Sequence, residues 1–310
     1  MNAVGIAAGL ATAALWTATA VCFEAAARRI GSLAVNLLRL FVAGVFFVGL
    51  SMFRTGQVGP AQLSGSAWRD LALSGFVGFA VADWMLFRAC VVMGARLTML
   101  IYASVPAMTG IAAYFFLGER ISMRGMCGMA ITSAGICLAV IGKRRVPKDE
   151  RPPSRKGILL ALGASAGQAA GLLLGKSGAG NMDPFSATEL RVFAGIVGLF
   201  SIALLSRQLP QIGSLLRTAV GLNTGSDRHS LKAIRTALLV LALGAFLGPF
   251  LGVSLGLLST QLLSAGIAST LMSLVPALLI PVSALVFRER VTVIEVTGTV
   301  MTLVGVALLV

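Results

Sequence analysis

Charge is scarce in this chain. Only 12% of its 310 residues are Asp, Glu, Lys or Arg, about half the usual share of a soluble domain. So few charges cannot cover a water-exposed surface, which excludes a soluble globular fold. Histidine is scarcer still. The one histidine, His229, sits in a polar loop, and neither an H-E-x-x-H nor a G-x-S-x-G motif occurs, so an enzyme is not expected. The four cysteines, Cys22, Cys90, Cys127 and Cys137, lie in or at the edge of apolar runs with no C-x-x-C pair. They read as buried free thiols, with no metal-type cluster among them. No P-loop is present, so any transport would draw on protons or another coupling ion rather than nucleotide hydrolysis. No pore ring or filter segment points to a channel.

What the chain has instead is apolar surface: 57% of its residues are hydrophobic. Runs of roughly 20 apolar residues recur, each long enough to cross about 30 Å of hydrocarbon. They are continuous rather than alternating, so the spans are helices and not barrel strands. Ten are predicted, at 4–23, 33–53, 71–93, 97–117, 122–142, 157–177, 185–206, 236–258, 264–286 and 291–310. The first has no basic residues before it and is long for a signal peptide, so it is read as a span. The formal charge of +14 does not signal nucleic-acid binding, because the basic residues sit in short connections between apolar runs. Two connections are longer. The segment KRRVPKDERPPSRK at 143–156 reads as a solvated linker, and 207–235 contains LPQIGSLLRTAV, a mildly amphipathic stretch suited to a surface helix.

The chain repeats itself. LALSGFVGFA at 71–80 matches LALGAFLGPF at 241–250, and at the same offset of 170 Pro106 meets Pro276 and Glu119-Arg120 meets Glu289-Arg290. Earlier in each half the offset is 152, where LLRLFVAG meets ELRVFAGI and Arg39 meets Arg191. The extra residues fall in the 207–235 loop. The expected organisation is therefore a first repeat over 1–142, the linker 143–156, and a second repeat over 157–310. Five spans per half is odd, so the halves enter the membrane in opposite directions. The fold class is an all-α polytopic membrane protein of ten helices in two inverted-topology five-helix repeats, the architecture of alternating-access carriers.

These motifs resemble the EamA-like family of the drug/metabolite transporter superfamily. LGERIS followed by GMAITSAGICL is similar to the family's repeat ending, and VFRERVTVIEVTGTVMTLVGVAL to its second copy. LLRLFVAG and ELRVFAGI resemble its arginine-bearing second helix, and ALWTATAVCF its first helix, with Trp16 at the usual tryptophan. The resemblance covers nearly the whole chain. It implies a central cavity lined largely by the first, third and fourth helices of each repeat, the last helix of each at the periphery, no bound cofactor, and substrates ranging over amino acids, other small metabolites, nucleotide sugars and drugs. One departure stands out. Glu24 occupies a place that is often basic in the family, while Lys176 fits at the matching place of the second half.

Charge placement bears on orientation. Of the 25 basic residues, Arg54, Arg69, Arg120, Arg124 and Lys176 fall on one side, Arg39 and Arg191 lie within spans, and all the others fall on the side of the linker. The positive-inside rule puts the linker in the cytoplasm of a cell membrane and both termini outside. Family members commonly keep both termini inside. The size of the charge bias decides for the first arrangement.

Ionisable groups inside spans mark candidate sites, because each costs at least about 2.5–3.5 kcal/mol at a helix centre. Asp83 lies midway along the third span. It reads either as a substrate-amine contact or proton-coupling site, or as a structural partner of Arg88 one turn on. Arg39 and Arg191 are read as structural cations, bound to carbonyls or snorkelling, or as contacts for an anionic substrate group. Trp16, Trp84, Tyr102 and Gln168, which replaces Trp16 in the second half, are candidates for cavity lining or simple packing. Pro106 and Pro276 permit matching kinks that serve as gating hinges or as static shape. The expected function is a secondary transporter, monomeric or homodimeric, exporting amino acids or related small metabolites. Multidrug efflux, metabolite uptake and a non-transporting membrane scaffold are the alternatives.

Overall fold

In a computed structural model, residues 2–59, 63–142, 154–205, 213, 228–286 and 291–309 are described. Among them there are ten helical spans and no strand. They are α1 (Ala3–Ile30), α2 (Ser32–Thr55), α3 (Gly65–Gly75, Phe76–Ala82 and Asp83–Met93), α4 (Ala95–Tyr102 and Val105–Leu117), α5 (Met123–Gly142), α6 (Arg155–Ala179), α7 (Pro184–Leu205), α8 (Arg228–Ala245, Phe246–Gly252 and Val253–Leu262), α9 (Ala265–Met272 and Val275–Val286) and α10 (Val293–Leu309). Each begins and ends within a few residues of the sequence expectation, except that α1 runs on to Ile30 and that α3 and α8 start earlier. Most of the 143–156 linker and the amphipathic stretch of 207–235 lie outside the described residues, as does the Glu289-Arg290 copy of the repeat motif.

Local chemistry sets the ends. Asn2, Ser64 and Ser154 cap α1, α3 and α6 by accepting from backbone N–H groups, which supplies partners a helix start otherwise lacks. Gly31 and Gly94, both at positive φ, close tight turns between α1 and α2 and between α3 and α4.

Two features break the regular helices, and both occur twice at the repeat offset. Residues 76–82 of α3 and 246–252 of α8 are π-helical, a rare form frequent at functional sites. The α4 helix is interrupted after Tyr102, with Pro106 in the first turn of its second segment. In α9 the same interruption follows Met272, ahead of Pro276. The prolines thus do not bend a continuous helix. They sit where a helix start leaves N–H groups unpaired in any case.

The halves are interleaved rather than set side by side. The first helix of each half packs along the third span of the other, α1 on α8 and α6 on α3, while α2 meets α7 and α5 meets α10. Small residues permit the crossings. A Cβ on Gly75 would lie 1.9 Å from the Arg191 carbonyl oxygen, and one on Gly135 would lie 2.5 Å from the Thr302 nitrogen. One buried cluster accordingly mixes Ala13 of the first half with Leu172, Leu263 and Leu271 of the second.

Candidate functional site

Interleaving leaves a cavity of about 600 Å³ in the middle of the bundle. It reaches toward the end where α5 finishes and α6 begins, here called the linker end. Its walls there carry Phe23, Met99, Val140, Ile280 and Glu295, and on the opposite side it stops near Trp16, Val105, Leu172 and Ser269. The first, third and fourth helices of both repeats contribute, as the resemblance implies. The second helix adds Arg39 and Leu40, and the last helices add Ile136, Ala139, Val140 and Glu295. Beyond this, α5 and α10 pack chiefly on one another.

Five of the seven predicted pathway residues line this cavity: Trp16, Arg39, Asp83, Tyr102 and Gln168, together with Pro276, one of the two residues predicted as hinges. The π segment of α3 ends immediately before Asp83 and sets the phase that turns Phe79, Asp83 and Leu86 to the cavity wall. Asp83 is bonded to Arg39 of α2, not to Arg88 on its own helix. Both members of this pair are about one-sixth exposed, at 17% and 16% of their side-chain surface. The guanidinium of Arg39 also lies 5.8 Å from the Phe23 ring centre and 6.0 Å from that of Phe87, within cation–π range. Tyr102 stands within electrostatic reach of both charges.

Trp84 and Arg191 lie off the wall. One residue past Asp83 is about 100° around the helix, so Trp84 is turned away and is 38% exposed. Arg191 enters near the other end of the bundle, because α7 runs opposite to α2. It is 4% exposed, its Nε donates to Ser74 Oγ at 2.8 Å, and its Cζ lies 5.0 Å from the Phe79 ring centre. Repeat-related arginines therefore differ in setting: Arg39 faces the cavity and Arg191 is packed between helices. Pro106 lies beside the wall residue Val105 without lining the cavity itself.

At the end away from the linker, polar contacts close the bundle. Lys176 Nζ donates to Glu119 Oε1 at 2.5 Å and to the Leu263 carbonyl at 2.6 Å. Glu119 Oε2 accepts from the Ala265 N–H at 2.7 Å, so one pair joins α4, α6, α8 and α9. Gln261 donates to the Gly180 and Met182 carbonyls nearby.

The sequence reading does not single out Glu295, although an acid near the start of the last span is a signal of the same kind as Asp83. Its carboxylate accepts from the N–H and hydroxyl of Thr292. The π segments have a fainter trace, GFVG at 75–78 matched by AFLG at 245–248, a small residue three positions before a glycine in each half.

Comparisons with known proteins agree with this architecture. A family model described as the EamA-like transporter family matches residues 3–141 and 155–310. One solved structure, described only as "Crystal structure of protein", superposes with a TM-score of 0.70 at 14% identity, covering 99% of this chain and 96% of that one. At that identity the likeness is one of fold. No curated protein matches.

Proposed function

From the chain's membership in the EamA-like transporter family, and hence its role as a multi-pass membrane transporter of the drug/metabolite transporter superfamily, we propose that it is a secondary carrier that exports amino acids or related small charged metabolites by alternating access. The observation that carries this reading is the cavity-facing Arg39–Asp83 pair, with the bundle drawn together at the opposite end by Lys176 and Glu119. A cavity of about 600 Å³ falls in the range that encloses a small ligand. Asp83, Arg39, Trp16, Tyr102 and Gln168 form the substrate pathway. The breaks before Pro106 and Pro276 are the hinges about which the halves exchange conformations, and Arg191 reaches the substrate when the opposite end opens. The linker end is cytoplasmic, on the charge bias. The state described here therefore receives substrate from inside the cell. Coupling runs through an ion gradient, with protons at Asp83 as the leading case.

Growth protection tests this. Cells expressing the protein are exposed to a panel of toxic amino acids, metabolite analogues and cationic drugs. Protection against amino-acid analogues, lost in Asp83→Asn at equal expression, supports the reading. Protection confined to cationic drugs turns it to multidrug efflux, and sensitisation turns it to uptake. No solute moved in cells or in reconstituted vesicles leaves a non-transporting scaffold.

A further inference from the structure

The Arg39–Asp83 pair also narrows the charges that the substrate itself must carry. Arginine offers five N–H donors. In Arg39 one terminal nitrogen is bonded to Asp83, while the buried Nε has no hydrogen-bond partner. The guanidinium therefore holds unused donors beside the cavity, with Phe23 and Phe87 near it. The pair is neither sealed in the core nor dissolved in water, because both side chains form part of the cavity wall. Among the described wall residues the other charged side chain is Glu295, whose carboxylate is engaged by Thr292. Tyr102 and Gln168 add polar groups. Trp16, Leu172, Met272 and Pro276 are apolar.

A ligand reaching this pair must do so in surroundings of low dielectric. A lone cation that takes Asp83 leaves Arg39 uncompensated, and a lone anion that takes Arg39 leaves Asp83 so. Either outcome orphans a charge away from bulk water, which is the costly way to break a buried pair. A ligand that brings both signs orphans neither. We propose that the substrate is a zwitterion inserted into the ion pair, an α-amino acid whose carboxylate binds Arg39, whose ammonium group binds Asp83, and whose apolar side chain lies along Trp16, Leu172, Met272 and Pro276. This rests on the transport reading above and assigns each charged residue the group it reads. Insertion leaves the net charge of the site at zero before and after binding.

Calorimetric titration of the purified full chain in lipid nanodiscs tests the assignment. The probes are L-leucine, 3-methylbutylamine, which is leucine without its carboxylate, and 4-methylpentanoate, which is leucine without its ammonium group. Wild type should bind leucine at least tenfold more tightly than either single-charge probe. Arg39→Gln should erase the preference of leucine over the amine, and Asp83→Asn its preference over the acid. Equal binding of leucine and the amine by wild type overturns the proposal in favour of a cation site. Variants that weaken all three probes alike overturn the assignment of groups. Binding of none of the three overturns the proposal too, and transport of any other solute in reconstituted vesicles would then leave the carrier reading standing. The wild-type comparison decides the matter even where a variant fails to fold.

Discussion

Lys176 is bonded to Glu119 across the end of the bundle away from the linker, and the residue that the repeat places opposite Lys176 in the first half is an acid, Glu24. Glu24 pairs instead with Arg28 on its own helix, in an exposed setting. A pair that is largely buried at one end thus has no like-charged copy at the other. Neutralising it should loosen that end. Hydrogen bonds to charged groups contribute about 1.5–3 kcal/mol, which translates to roughly ten- to hundredfold in an opening equilibrium. With Thr109→Cys as a reporter in a background lacking the four native cysteines, Glu119→Gln should raise labelling by an impermeant maleimide about tenfold or more. Glu24→Gln should leave the labelling unchanged.

Arg191 carries a second expectation. Its described partners are a hydroxyl and an aromatic face, not a carboxylate. Replacing a buried charge with an apolar side chain of similar volume is often neutral or stabilising, provided no partner is orphaned. Ser74 keeps its bond to the Gly171 carbonyl. Arg191→Met should therefore leave stability unchanged or raise it by about 1–4 kcal/mol, measured as thermal unfolding in detergent. Asp83→Asn, which strips Arg39 of its partner, should lower stability clearly. A steep loss in Arg191→Met would point to an acid partner in another state.

The close crossing of α3 and α7 can be tested with one methyl group. Gly75→Ala would press a Cβ onto the Arg191 backbone, and overpacking of this kind costs about 1–3 kcal/mol or more. Gly49→Ala meets nothing within 4 Å and should be neutral or gain up to about 1 kcal/mol from helix propensity. Thermal unfolding of the two variants should separate them by several degrees.

The paired breaks make a kinetic prediction. If Pro276 keeps α9 divided, Pro276→Ala allows the two segments to join and should slow counterflow exchange in vesicles several-fold, with binding affinity little changed. Equal exchange in wild type and variant would reduce the break to static shape.

The sequence reads well where physics is periodic. Spans follow from apolar length, and Pro106 with Pro276 or Arg39 with Arg191 reveals the repeat, because a duplicated fold preserves residues that each copy needs. Arg39 and Asp83 are legible individually as ions inside spans. Their pairing is not, since α2 packs on α1, α7 and α8 rather than along α3, and only the assembled bundle brings the two side chains together at the cavity. Neighbours along the chain mislead for the same reason. Arg88 lies one turn from Asp83 and is not its partner, while Trp84 adjoins Asp83 and faces away from the cavity. The repeat also conceals a difference: Arg39 and Arg191 match in sequence but occupy opposite ends of the bundle, and the cavity reaches only one of them.

Because α1 packs on α8 and α6 on α3, neither half holds a finished interior of its own. During synthesis the first five helices must remain in the bilayer with their glycine-lined faces against lipid until the later helices emerge. Two separately produced halves would recover the fold only by finding each other in the membrane, and a fault in inserting α8 would leave α1 without its principal neighbour.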